Sequence, residues 1–189
     1  LRVKDAFEFR TFTALNVDLA LHCYLAQDYE RALAQLQDTL ELFPESDIAH
    51  IYRARIFAHR GNEAAALADL QVAMALSRSR KRFLCELGHA YATLGRESQA
   101  LEVMDELVRE SKRSYVPAYN IAVLSVALGA IDRAFAWLED ALDERNGDML
   151  FLNVDPRFAL LRRDARFAGL LQRMKLSDLA AGVAASTAH

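Results

Sequence analysis

Residues 87–101, LGHAYATLGRESQAL, place a histidine, a tyrosine, a glutamate and two glycines within one short stretch. Leu87, Ala90, Tyr91 and Leu94 also recur at the spacing of a single apolar helix face. The stretch therefore poses a choice. Either His89 belongs to a chemical site, or the segment exists to be stacked against others like itself.

Shifting the chain by 34 positions decides it. ERALAQL (30–36), AAALADL (64–70), SQALEVM (98–104) and RAFAWL (133–138) then fall into one gapless register. Ala32, Ala66, Ala100 and Ala134 share a column, followed by Leu36, Leu70, Met104 and Leu138, and then by Thr39, Ala73, Leu107 and Ala141. In the preceding helix, Leu19, Arg53, Leu87 and Ile121 align, with Ala20, Ala54, Gly88 and Ala122 directly after them. Gly61, Gly95 and Gly129 fall between the two helices, where a left-handed residue ends one and starts the turn. The small-residue columns let paired helices approach closely. The expected unit is a helical hairpin repeated over 13–46, 47–80, 81–114 and 115–148. No hairpin can bury its apolar stripe alone, so neighbours stack to make the core.

Period and columns resemble the tetratricopeptide repeat, whose pattern L-G-H-A-Y at 87–91, Ala100 and Met104 follow. Against that pattern the tryptophan column carries Asn16, His50, Leu84 and Ala118, an apolar column carries Arg53, and Pro44 keeps the closing proline. The resemblance implies an all-α fold, a tetratricopeptide-repeat helical-hairpin solenoid forming a right-handed superhelix. Residues 149–176 leave the 34-residue pattern and echo themselves instead, as DPRF (155–158) and DARF (164–167). Asp155 before Pro156 reads as a helix cap and first turn. Asp164 reads as the cap of a further helix turning Phe167, Leu170, Leu171 and Met174 inward. The expectation is a C-terminal helical cap over 149–176 with a flexible tail over 177–189. Residues 1–12 read as the remnant of a preceding helix, and the opening at Leu1 as a piece of a longer protein.

The segment from Tyr115-Val116 through Ala134, Trp137 and Leu138 to Val154-Asp155-Pro156-Arg157-Phe158 resembles the C-terminal repeat region of bacterial multidomain signalling and transcriptional regulators. Those carry a winged-helix, adenylate-cyclase or serine/threonine-kinase domain upstream. The resemblance implies a regulatory module that binds protein.

Composition narrows the classes. A net charge of −3 offers no nucleic-acid face. The longest nearly apolar run, IAVLSVALGAI (121–131), is too short to span a bilayer. Cys23 and Cys85 have no framework spacing, which fits a reducing, cytoplasmic setting. Phosphate-cradling loops, HExxH and nucleophile elbows are absent, so no enzyme and no cofactor is expected. Acidic pairs such as Asp105-Glu106 and Glu139-Asp140 read as a solvated face. Cys85 and His89 share a face at i, i+4, and His59 ends the previous first helix. No fourth zinc ligand is evident, so no metal is expected, and His89 reads as groove-lining.

In such arrays the first helices line a concave groove. The first-helix positions not assigned to packing include Val17, Leu21, Tyr24 and Leu25, then Ile51, Arg55 and His59, then Arg82, Cys85 and His89, then Tyr119, Asn120 and Val123. The candidate partner-binding residues are Tyr24, Arg55, His59, Arg82, His89, Tyr119 and Asn120, a groove with apolar ends and a basic middle. That suits a protein or peptide ligand with an acidic or aromatic anchor. The carboxylate clamp of chaperone-cofactor arrays is not carried over, because Glu86 follows Arg82 by one turn. Alternatives from other classes are a stand-alone chaperone or assembly factor and a small-ligand sensor. The sequence leaves the oligomeric state open.

Overall fold

The computed structural model describes residues 3–77 and 80–175, with side chains from Thr13 onward. The tail expected over 177–189 lies outside the described residues. Helix α1 spans Val3–Leu25 and α2 Tyr29–Leu42. They are followed by α3 (Asp47–His59), α4 (Glu63–Leu76), α5 (Arg80–Thr93), α6 (Glu97–Ser111), α7 (Ala118–Ala127) and α8 (Ile131–Asp143). Two 3-10 helices, Gly147–Phe151 and Pro156–Arg163, precede α9 (Ala165–Arg173). No strand occurs among the described residues.

The second helices open at Tyr29, Glu63, Glu97 and Ile131, in steps of 34, and α9 opens one further step on, at Ala165. This corrects the expectation that 149–176 leave the repeat. Their side chains depart from the columns, but their element boundaries keep the period. The 3-10 helix at Pro156–Arg163 stands where a first helix would, and α9 where a second helix would. A second correction concerns residues 1–12. From Val3 on they are not the end of a separate helix but the opening turns of α1, which runs unbroken to Leu25. Residues 3–25 contain no glycine or proline, so nothing in the backbone stops it there.

The column residues do what their size requires. Ala32, Ala66, Ala100 and Ala134 have no exposed surface, and Leu36, Leu70, Met104 and Leu138 are buried beside them. Burying each of these large side chains contributes about 1.5–3 kcal/mol. The described chain forms two compact units, divided after Ser114. In the first, α1 pairs with α2, α3 with α4 and α5 with α6, while α1 touches α3 and α3 touches α5. In the second, α7 pairs with α8 and meets the Pro156–Arg163 helix, which in turn meets α9.

Each hairpin turn is built the same way. Gly61, Gly95 and Gly129 lie at φ of 71°, 75° and 71°, and Gln27 occupies the same column at 61°. The first two second helices are capped by Asp28, which accepts from the Arg31 N–H at 3.2 Å, and by Asn62, which accepts from Ala65 at 3.2 Å. Arg96 and Ala130 provide no side-chain cap for α6 and α8. A β-carbon in the left-handed region costs roughly 1–2 kcal/mol. Gln27→Gly should therefore raise the thermal midpoint by about 2–8 °C, and Gly61→Ala should lower it comparably. Calorimetry of the two variants checks the pair, and an unchanged midpoint in both would contradict this reading of the turn.

Candidate functional site

Binding is expected along the first helices of the repeats, and in the N-terminal unit two polar networks shape that side. Asp69, on α4 within the apolar run AAALADL, is only 5% exposed. Arg53 on α3 grips it with two hydrogen bonds, Nε to Oδ2 at 2.8 Å and a terminal guanidinium nitrogen to Oδ1 at 2.7 Å. The pairing with Asp69 raises the Arg53 pKa above its already high ordinary value. His50 Nδ1 lies 2.8 Å from Asp69 Oδ1, and its Nε2 lies 3.1 Å from the Pro44 carbonyl oxygen. The remaining Arg53 nitrogen donates to Gln37 Oε1 on α2 at 2.9 Å. The two departures from the repeat pattern, His50 and Arg53, are thus one feature. Together with Asp69 they tie α3 to α4, to α2 and to the α2–α3 turn.

The second network joins neighbouring first helices. Arg55 on α3 donates through Nε to Glu86 Oε2 on α5 at 2.7 Å, and a second guanidinium nitrogen bonds Oε1. Its guanidinium also lies 4.7 Å from the Tyr52 ring centroid, within range of a cation–π contact. Bidentate pairs of this kind hold both partners in a fixed plane. Glu86 therefore sets Arg55, and Arg55 backs Tyr52.

These contacts revise the candidate residues. Tyr24 is buried, its ring 5.8 Å from that of Tyr29, and Tyr29 in turn lies 4.8 Å from the exposed His59. Tyr24 and His59 are thus joined through Tyr29, a residue the sequence reading passed over. Arg55 turns toward Glu86 instead of presenting a basic patch. His89 is buried, beside a narrow space lined by Ile51, Ala54, Arg55, Leu70, Glu86 and Ala90. Arg82 stands exposed in the first turn of α5. Ile51, Cys85 and Val123, also counted as groove positions, are core, whereas Val17, though largely buried, borders the cleft described below.

In the C-terminal unit Tyr119 is buried, and its hydroxyl donates to Asp155 Oδ2 at 2.9 Å. Burial, reinforced by the Asp155 carboxylate, pushes its pKa well above the ordinary phenol value. Its ring meets Phe158 edge-on at 5.1 Å. Asn120 is half-buried, and its backbone N–H donates to the Pro117 carbonyl. Tyr119 is therefore part of the core. The DPRF and DARF echoes are one local device used twice. Asp155 accepts from the Arg157 N–H at 3.0 Å and from its guanidinium at 2.6 Å, with Phe158 in the core. Asp164 does the same with Arg166, at 2.9 and 2.7 Å, with Phe167 in the core. The Arg166 side chain, helped by its backbone N–H, holds the Asp164 carboxyl down to about 2.

What remains open is a cleft of about 540 Å³ in the N-terminal unit, lined by residues of α1 and α3 and the turn between α2 and α3. Val17, Phe43, Ile48 and Tyr52 supply its apolar walls, and Asp18, Glu45 and Asp47 its carboxylates. Except for Val17, none of these was linked to function in the sequence, where the α2–α3 turn reads only as a connection. No group of three or more His, Cys, Asp or Glu side chains suited to a metal occurs among the described residues. No described helix is long and apolar enough to cross a membrane.

Helical hairpins at a 34-residue period, stacked through small-residue columns around an open cleft, define a helical-repeat scaffold. Its fold is that of tandem tetratricopeptide repeats, and the tetratricopeptide repeat family model matches residues 17–80. A curated relative, the BBSome complex member BBS4 of Bos taurus, is 26% identical over 159 residues. That match covers 84% of this chain but only 30% of the relative's length. Among solved structures, PilW, a type IV pilus biogenesis factor, superposes with a TM-score of 0.50 at 21% identity, covering 85% of this chain and 72% of its own. YrrB, a repeat protein with an unusual peptide-binding site, gives a TM-score of 0.44 at 14% identity, covering 86% and 85%.

Removing one member of a buried ion pair strands the others, at a cost of about 3 kcal/mol at the low end of the usual range. Asp69→Ala should lose that much, and adding Arg53→Leu should restore part of it. Denaturant unfolding of the two single variants and the double variant measures the coupling. Strictly additive losses would show that the network ties nothing together.

Proposed function

We propose that this chain is a non-catalytic protein-interaction module that holds a peptide or protein segment on the first-helix side of its N-terminal unit. The observation that carries this reading is the open cleft there, whose wall Tyr52 is backed by the Arg55–Glu86 pair. Sites on rigid elements, with side chains locked from behind, bind at lower ordering cost than loops do. Peptide capture by a repeat scaffold also needs no chemistry beyond shape, apolar contact and charge, which is what the cleft offers.

The setting we propose is the regulatory C-terminal part of a bacterial signalling or transcription-control protein, in the cytoplasm. Support comes from the resemblance of residues 115–158 to such regions and from Cys23 and Cys85, which form no disulfide with each other. A second reading, a stand-alone assembly factor, is favoured by the match to a member of a multi-subunit complex. The two diverge on whether a catalytic or DNA-binding domain shares the polypeptide. Fold alone does not separate them.

Half-buried Tyr52, on α3, is the cleft wall that the Arg55–Glu86 pair holds from behind. Tyr52→Ala in the full-length protein should reduce recovery of at least one co-purifying protein from cell extract about tenfold. Its helical melt should stay cooperative, because the ring lies at the edge of the core. Quantitative mass spectrometry of the two purifications, beside circular dichroism, checks this. Equal recovery of every protein would count against the face.

A further inference from the structure

We propose that the cleft between α1, the α2–α3 turn and α3 selects a basic partner segment, one in which Lys or Arg side chains flank a large apolar anchor. This deepens the reading above, on which it rests, and reverses the charge that the sequence led one to expect of the ligand. Three observations carry it.

The first is volume and wall chemistry. At about 540 Å³ the cleft lies within the size range of pockets that bury small ligands, and Val17, Phe43, Ile48 and Tyr52 give it an apolar lining. An apolar anchor gains contact area there that a bare cation would not. The second is charge. Asp18, Glu45 and Asp47 border the cleft, and no Lys, Arg or His is among its described lining residues. Asp47 is partly committed, since it accepts from the Ile48 N–H at 2.8 Å and offsets the positive end of the α3 dipole. Asp18 and Glu45 are exposed and enter no ion pair among the described residues, so the net charge of the cleft is theirs. The third is the commitment of a cation beside the cleft wall. Arg55 lies against Tyr52 and pairs with Glu86 on α5. The described lining of the cleft is therefore acidic, and an acidic ligand would meet like charge at two points. Such juxtapositions discriminate between partners more strongly than they set affinity.

Two labelled synthetic peptides of equal length, one of Leu and Lys and one of Leu and Glu, test this on the full chain by fluorescence anisotropy. The Leu/Lys peptide should bind and weaken as salt rises, and the Leu/Glu peptide should bind at least about tenfold more weakly. Exchanging the two uncommitted carboxylates, Asp18→Lys with Glu45→Lys, should reverse that preference. Both positions are exposed, so the circular dichroism melt should match wild type, and the milder Asp18→Asn with Glu45→Gln gives an intermediate affinity if the reversed pair fails to fold. Affinity for the Leu/Lys peptide that is unchanged in these variants overturns the proposal, as does the absence of binding by either peptide. Preference of wild type for the Leu/Glu peptide overturns the basic-partner inference while leaving a peptide-holding face in place. Equal recovery of every protein from extract by wild type and Tyr52→Ala would instead remove the face itself.

Discussion

Close approach of paired helices is the constraint on which everything else here depends. Ala32, Ala66, Ala100 and Ala134 have no exposed surface because a second helix presses on each of them. A larger side chain at any of these points would push the hairpin apart and expose the stripe that the next repeat must cover. Overpacking of this sort costs typically about 1–3 kcal/mol locally. In a repeat array the interface terms also fall on the neighbours. The turn residues serve the same end. A left-handed residue at Gln27, Gly61, Gly95 and Gly129 reverses the chain in the fewest steps, so that the second helix returns along the first.

Polar chemistry then fixes what apolar packing leaves loose. Apolar stripes slide, whereas a two-pronged guanidinium–carboxylate pair does not. The Arg53–Asp69–His50 network locks α3 to α4 and to the turn before it, and Arg55–Glu86 locks α3 to α5. In the C-terminal unit Asp155 gathers Tyr119 and Arg157, and its carbonyl accepts from Arg162. These are the places where the chain departs from its own repeat. The two networks of the N-terminal unit set the walls of the cleft indirectly, because the α2–α3 turn is held through Pro44 and the Tyr52 ring through Arg55.

The hairpins were legible in the sequence because close approach and positive φ admit few residue types, and those types recur every 34 residues. The candidate site was legible only in part. Periodicity tells which face of a helix a residue occupies, not which neighbour covers that face. Tyr24 and Tyr119 looked available for that reason and are covered, by Tyr29 and by Asp155 with Phe158. Arg55 looked like half of a basic patch because its partner Glu86 lies 31 residues away. One signal was present: Asp69, a lone carboxylate within AAALADL, sits among residues too apolar to leave it unpaired, and two side chains out of pattern stood ready in the preceding helix. The cleft itself left no periodic trace. Phe43, Glu45, Ser46, Asp47 and Ile48 come from the end of one repeat and the start of the next, where the columns give no guidance.

The central functional claim is that partner contact centres on the cleft beside Tyr52. A photo-crosslinking phenylalanine analogue at position 52 of the full-length protein, activated in living cells and followed by peptide mapping, tests it most directly. The expected adduct joins position 52 to a partner segment in which basic residues flank an apolar one, and it disappears when Asp18 and Glu45 are both replaced by Lys. Adducts that persist unchanged in that variant, or that map to an acidic segment, would contradict the account.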